Sequence, residues 1–337
     1  MNTPQDLYQY IYRKTMEKKI LFFCEWELTQ RCNLKCSHCY LVHSNIDVPF
    51  SFAKRIIREL KTLGCLYLTF TGGEIFLHPD FFKIALYARK HGFALRLLSN
   101  LTLLDSSKIK ELIYLYPLSI ETSIYSYRDK FHDQITGLKG SFRKTMRAIS
   151  SLRKNKLKVV LKFLIRKDNF KEFHKVKKLA SDVGADFLYD FCIVKRKDNS
   201  SLPLEYRLNQ EEIREFFIRY KAFPEIKETD QENSLLCSAG LNNLFLGADL
   251  EVYPCVGLNY RVGSLKEKTL TEIWNSKELE FIRNLDVTLL YRCSNCHLKR
   301  FCFRCMGLSL SEGGNLLGPA NFNCQVAEIV FWNQLRI

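Results

Sequence analysis

Three cysteines in TQRCNLKCSHCY, spaced x3 and x2 and followed by Tyr40, stand directly after an apolar run at 20–28. Thiolates are the usual ligands of a 4Fe–4S cube, which takes four. Cys32, Cys36 and Cys39 on one loop can hold three irons and leave the fourth open to an amino-and-carboxylate chelate. No further cysteine follows until Cys65. A zinc knuckle is the competing chemistry, with His38 or His43 as fourth ligand. Thr71-Gly72-Gly73-Glu74 ends a second apolar run. Paired glycines let a backbone pass close to a ligand, and the carboxylate after them can receive an ammonium group.

A second group gathers near the C-terminus: Cys237, Cys255, Cys293, Cys296, Cys302, Cys305 and Cys324. The four central cysteines are spaced x2, x5 and x2, too tight for a zinc ribbon. They suit interleaved iron–sulfur clusters, in which one cysteine of a run serves a neighbouring cluster. A single zinc with spare cysteines is the alternative. Cys24, Cys65 and Cys192 stand alone. Cys24 and Cys65 read as core. Cys192, on the sixth expected strand, reads first as a small buried hydrophobe and second as a thiol that returns a hydrogen atom to a substrate radical. Glu25 and Glu27 alternate with Trp26 and Leu28, so one face of the first strand carries carboxylates that need partners if buried. His132 and Asp133 read as loop structure, and Lys195, Arg196 and Lys197 as a solvated loop or a carboxylate-binding one.

These groups need a scaffold. Strand-like runs at 20–28, 65–70, 93–98, 118–124, 157–165 and 186–193 alternate with amphipathic stretches at 51–63, 79–91, 105–115, 141–155, 170–183 and 209–221. Six βα units with nearly continuous apolar strands predict an α/β fold with a parallel sheet covered by helices. Pro79 is expected at a helix start. The cysteine loop and the glycine pair then lie side by side on the carboxyl edge of the sheet, where ligand sites gather. The organisation changes in the polar stretch 223–237, which divides an N-terminal helical extension (1–19) and the strand–helix region (20–222) from a cysteine-rich region (223–337). That region opens with a hairpin (LFLGADLEVYPC) and a helix at 271–285.

Composition bounds the function. The 337 residues are 47% hydrophobic and 26% charged, as in a folded globular protein. The N-terminal stretch lacks the apolar segment of a secretory signal, no run approaches 18 apolar residues, and a cytoplasmic location is expected. Thirteen cysteines in such a chain point to metal or redox work rather than disulfides. The formal charge of +15 raises nucleic acid as a partner, but the basic residues are scattered at helical spacings and read as solvated faces. An acidic peptide or leader segment suits the same charge.

Together, TQRCNLKCSHCY and TGGEIFLHPDF resemble the signature segments of the radical S-adenosylmethionine (SAM) superfamily, with His38 in the usual aromatic slot and Ile75 in place of proline. The resemblance spans residues 20 to about 200 and implies a partial (β/α)6 barrel open on one side. It implies a SAM-binding 4Fe–4S cluster on Cys32, Cys36 and Cys39, and cofactor contacts from Tyr40, Gly72, Gly73 and Glu74. LLSN (97–100) and ETSIYS (121–126) resemble the family's third- and fourth-strand segments, which adds Ser99, Asn100 and Ser123. The C-terminal cysteines, with VYPC and GSLKEKTLTEIWNS, resemble the iron–sulfur SPASM domain. That likeness implies a first auxiliary 4Fe–4S cluster on Cys237, Cys255 and Cys305 and a second on Cys293, Cys296, Cys302 and Cys324, three clusters in all. The family's eighth cysteine is absent from SAGLNNLF, Leu250 replaces a usual glycine, and the last x2 is one residue short. The first auxiliary cluster then keeps an open iron or takes Asn242, Asn243 or substrate.

The resemblance implies a radical SAM oxidoreductase acting on a peptide or protein, by crosslinking, oxidation or epimerisation, with an electron donor such as flavodoxin or ferredoxin. With about 19 residues before the first strand, a leader-binding domain is not expected on this chain, and a separate leader-peptide-binding protein or direct binding would serve. The rivals are a small-molecule dehydrogenase or tetrapyrrole-modifying radical SAM enzyme, and a zinc-dependent nucleic-acid-binding protein.

Overall fold

In a computed structural model, which describes residues 4–222 and 237–334, the chain begins with helix α1 (Pro4–Glu17). A regular alternation follows: β1 (Phe23–Thr29), α2 (Phe50–Thr62), β2 (Tyr67–Gly72), α3 (Phe81–Lys90), β3 (Ala94–Leu98), α4 (Ser106–Leu115) and β4 (Ser119–Ser123). Then come α5 (Asp129–Thr136), α6 (Ser141–Lys154), β5 (Val159–Leu164), α7 (Phe173–Asp182), β6 (Asp186–Asp190) and α8 (Gln210–Tyr220). Strands β1 to β6 pair in parallel, each with the next in sequence. They form the α/β partial barrel that the sequence predicts.

Alternation along the strands explains the layering. Cys24, Trp26 and Leu28 of β1 point outward into a core shared with Ala53, Ile56 and Leu60 of α2. Glu25, Glu27 and Thr29 take the opposite face, inside the barrel. The foot of the barrel is closed by α1, whose Tyr12 packs on Phe23 at 5.9 Å and whose Tyr8 packs on Tyr67 at 6.5 Å. The open edge is β6, largely exposed, with Phe187 and Tyr189 held by Phe173 at 5.6 and 5.0 Å.

The C-terminal region does not stand apart as the sequence suggests. Strand β7 (Asn243–Leu246) pairs in parallel with β1, and β8 (Glu251–Tyr253) and β9 (Gly263–Ser264) extend the same sheet antiparallel. A nine-stranded sheet thus runs β6-β5-β4-β3-β2-β1-β7-β8-β9. The expected hairpin is β7–β8. The expected helix at 271–285 is two, α9 (Leu270–Trp274) and α10 (Lys277–Arg283), because Asn275 ends one and Ser276 caps the other by accepting from Leu279 N at 3.2 Å. α11 (Met306–Gly313) and α12 (Asn321–Gln334) complete the chain.

Three further expectations need correction. Pro79 lies before the cap of α3 rather than in its first turn. His132 and Asp133 are helical, on α5. β6 stops at Asp190, so Cys192 lies beyond it. The boundary placed at 223–237 falls almost wholly outside the described residues.

Candidate active site

The cysteine loop leaves the carboxyl end of β1 and is held from three sides. From β2, Gly73 N donates to Thr29 O at 2.9 Å and Glu74 N to Arg31 O at 2.8 Å. This contact explains the paired glycines. A Cβ on Gly72, whose φ is +145°, would sit 2.3 Å from Thr29 O, and one on Gly73 would sit 2.2 Å from Arg31 O. The pair admits the protein's own backbone, and both glycines also line the cavity beside the cysteine loop. Gly73→Ala is therefore expected to cost about 1–3 kcal/mol of stability and to lower iron retention at this loop, measured as iron per chain after desalting.

From α5, Thr136 O and Ile135 O accept from Lys35 N and Ser37 N at 2.8 and 3.3 Å. His132 Nδ1, on the same helix, accepts from Tyr125 N at 3.2 Å, and burial lowers its pKa to about 4. The segment read as loop is thus a prop for the cysteines.

The third support, Arg166, was not singled out in the sequence. It is 1% exposed, lies beyond β5, and stacks on Tyr206 at 4.0 Å. Its Nη1 donates to Ser37 Oγ at 2.9 Å and to His38 Nδ1 at 2.6 Å, and Asp168 takes Nε and Nη2 at 2.9 and 2.6 Å. His38 accepts, so it is neutral with its proton on Nε2. Burial and then the guanidinium lower its pKa to about 3. His38 is thus engaged away from a zinc-ligand role, while His43 Nε2 lies 3.8 Å from Cys39 Sγ.

Cys32, Cys36 and Cys39 line one cavity of about 540 Å³. Burial pushes the Cys32 thiol up to about 11 and Cys36 to about 12, and the cysteines' own charges add to it. Thiolates so placed need a strongly positive core beside them. Among the described residues, no three His, Cys, Asp or Glu side chains converge on a single-ion site. Three thiols on one loop match the ligand demand of an iron–sulfur cube with one open iron, whereas a structural zinc takes four protein ligands.

Glu74 lies fully buried under this loop. It accepts from Ser99 Oγ at 2.7 Å, Asn100 N at 2.7 Å and Phe76 N at 3.1 Å. Burial raises its pKa to about 7 against these three donors. The carboxylate expected to meet a ligand is, in this structure, a strut between the ends of β2 and β3. Asn100 Nδ2 reaches on to Asn33 Oδ1 at 3.0 Å and lies 4.0 Å from Cys32 Sγ. Ser99, Asn100 and Ser123 all line the cavity.

Inside the barrel Glu27 of β1 is partnered, as burial requires. Glu27 is fully buried, accepting from Tyr40 Oη at 3.0 Å and from Lys197 Nζ at 2.8 Å. Lys197 is thus not part of a solvated loop, whereas Arg196 pairs with Asp198 at the surface. Lys162 of β5 pairs with Glu121 of β4 at 3.2 Å. Glu25 has its pKa raised to about 7 by burial, with Glu27 and Glu121 adding to it against Lys162 and Lys197. Folded Glu25 binds its proton more tightly than the unfolded chain does. Its stabilising share is full below about 4.5 and is lost as pH rises through about 7. Glu25→Gln is expected to flatten the fall in stability between pH 5 and pH 8 by about 1–3 kcal/mol, read from urea midpoints.

In the C-terminal region the cysteines fall into two neighbourhoods. Cys302 is raised to about 12 by burial and by the charges of Cys324, Cys293 and Cys296. Cys255 is raised to about 11 by burial and, further down, by Cys237 and Cys305. Gly257 N donates to Cys255 Sγ at 3.4 Å and Ala239 N to Cys237 Sγ at 3.5 Å. Asn242 is fully buried and turned to the foot of the barrel, its Nδ2 donating to Thr15 Oγ1 at 3.1 Å. Asn243 Nδ2 donates to Ser238 Oγ at 3.3 Å.

A partial parallel barrel with three half-buried cysteines at its carboxyl edge, continued by a cysteine-rich sheet extension, defines an iron–sulfur enzyme. The family model for the radical SAM superfamily matches residues 26–180, and that for SPASM, an iron–sulfur cluster-binding domain, matches residues 237–297. The chain belongs to the radical SAM superfamily and carries a SPASM domain; its cofactors are SAM and iron–sulfur clusters. It is 27% identical to the AdoMet-dependent heme synthase of Methanosarcina barkeri, over 87% of this chain and 93% of that protein. It is 28% identical to the antilisterial bacteriocin subtilosin biosynthesis protein AlbA of Bacillus subtilis, over 74% of this chain but 59% of that one. Among solved structures, Streptococcus suis SuiB bound to precursor peptide SuiA superposes with a TM-score of 0.72. That match has 16% identity, covers 96% of this chain and 82% of SuiB, and shows the fold alone. The zinc-dependent nucleic-acid reading gives way to this assignment. Among the described residues, no helix is long and apolar enough to cross a membrane.

Proposed function

We propose that this radical SAM enzyme acts on a peptide or protein and holds three 4Fe–4S clusters: one on Cys32, Cys36 and Cys39, one on Cys237, Cys255 and Cys305, and one on Cys293, Cys296, Cys302 and Cys324. When bound, the first cluster supplies the electron that cleaves SAM to methionine and a 5′-deoxyadenosyl radical, which abstracts hydrogen from a C–H bond of substrate. The chain's own residues position and exclude water. Tyr40, Gly72, Gly73, Ser99, Asn100 and Ser123 surround the cofactor's place, and Glu74 braces the two loops that form it. A protein such as flavodoxin or ferredoxin delivers the electron.

The observation that carries the peptide reading is the lining of the 540 Å³ cavity, which is poor in cations. Among its described lining residues Lys162 is the one lysine or arginine, and it is committed to Glu121. A tetrapyrrole with several carboxylates would meet no free cation there. The similarity to AlbA supports the same reading.

The second reading, tetrapyrrole modification, draws on the similarity to the heme synthase over most of the chain. Titration of the anaerobic protein with iron coproporphyrin III separates the two. Under the peptide reading the Soret band stays that of free porphyrin, and a peptide encoded beside this gene raises 5′-deoxyadenosine formation at least tenfold. Stoichiometric porphyrin binding with porphyrin-dependent SAM cleavage would overturn the peptide reading.

A further inference from the structure

We infer that Cys192, supplied by the barrel, is the fourth cysteine ligand of the auxiliary cluster on Cys237, Cys255 and Cys305. The inference rests on the reading of the C-terminal cysteines as two 4Fe–4S sites. Two cubes take eight ligands, and the region from 237 onward holds seven cysteines. Of the rest, Cys32, Cys36 and Cys39 are committed, while Cys24 and Cys65 are buried in the core around β1 and β2. Cys192 remains.

Its surroundings place it on the seam between barrel and SPASM region. Asp190 Oδ1 accepts from Cys192 N at 2.8 Å, just past the end of β6. On one side Phe191 packs against Phe322 at 5.8 Å, two residues before Cys324. On the other, Ile193 O accepts from Arg207 Nε at 2.6 Å, and Arg207 Nη1 pairs with Glu312 at 2.5 Å. Glu312 lies on α11, the helix whose cap residue is Cys305. Both neighbours of Cys192 are therefore fastened to the cysteine-bearing region.

Cys192 and Val194 line the edge of the 540 Å³ cavity, and the loops that follow the three cysteines meet in the cavity adjoining it. Val194, Gly257 and Gly307 stand two residues beyond Cys192, Cys255 and Cys305, and all line a second cavity of about 350 Å³. Gly307 lies so close to Gly257 that a Cβ on it would be 1.9 Å from the Gly257 carbonyl oxygen.

The other candidates fit less well. Asn242 is turned to α1, and the free oxygen of Asn243 is a hard donor where iron–sulfur clusters take soft thiolate. Ligation releases the thiol proton to solvent and leaves a thiolate–iron bond. A thiol so used has no hydrogen atom to give, which removes Cys192 from the role of radical quencher.

The test uses the full chain, reconstituted anaerobically, with Cys32, Cys36 and Cys39 changed to alanine so that auxiliary iron is counted alone. This parent is expected to hold about eight irons that survive brief ferricyanide oxidation. Adding Cys192→Ala is expected to leave one cluster labile: oxidation then releases about one iron per chain with a new 3Fe–4S electron paramagnetic resonance signal, or about four as that cluster is lost. Cys192→Ser, closer in volume, is expected to behave the same while circular dichroism stays that of the parent. In the loaded wild-type chain Cys192 resists iodoacetamide and becomes labelled at the rate of Cys237 once iron is stripped. Eight irons and an unchanged spectrum in both variants, or labelling of Cys192 in the loaded chain, would overturn the assignment alone. A parent with about four irons would overturn the two-cluster reading beneath it.

Discussion

Changing Cys32, Cys36 and Cys39 together to alanine is expected to abolish 5′-deoxyadenosine formation, a fall of at least a thousandfold, while iron drops by about four per chain. The large effect follows from the placement of these residues. They line the 540 Å³ cavity, where the proposed function makes them the thiol ligands of the cube, and burial already opposes the ionisation of Cys32 and Cys36. The fold should survive, because the loop is anchored by backbone contacts to β2 and α5 that do not use the thiols. Iron and sulfide assays with circular dichroism on the same sample check both halves.

Arg166→Ala is expected to have the next largest effect. The side chain joins Ser37 and His38, inside the cysteine loop, to Asp168 and Tyr206. Removing one member of a buried charged pair costs about 3–5 kcal/mol when both are fully dry. Asp168 is 32% exposed and can rehydrate, so about 2–3 kcal/mol is expected here. SAM cleavage should fall at least tenfold. The loss of a nearby positive charge should also move the first cluster's reduction potential to more negative values. Arg166→Lys should return most of the potential but little of the stability, since an ammonium cannot reproduce the guanidinium fork. A potential unchanged in both variants would reduce Arg166 to a packing role.

Much of this arrangement is legible in the amino-acid order. The runs from ILFFCEWEL to DFLYDFCI are apolar enough to be buried strands, and the intervening stretches repeat at helical period, so β1 to β6 and their covering helices follow from local pattern. The cysteines stand out because thiolate chemistry demands tight spacing. What escapes is what depends on contacts between distant segments. Nothing local in NLFL says that β7 pairs with β1, so two apparent regions share one sheet. The alternation of Glu25 and Glu27 shows a carboxylate face on β1 that needs partners, but not which, and the partner of Glu27, Lys197, lies 170 positions away. Arg166 looks like another surface cation in LIRKDNF, yet it is among the most buried side chains in the molecule. The short α5 was missed because FHDQITG has too few turns to show a period.

The most direct test is to purify the wild-type chain anaerobically, reconstitute it, and measure iron, sulfide and zinc alongside 5′-deoxyadenosine after adding SAM and dithionite. About twelve irons with matching sulfide, negligible zinc, and 5′-deoxyadenosine formed only with reductant are the expected result. Stoichiometric zinc with little iron, or an iron-loaded chain that leaves SAM intact under reduction, would contradict it.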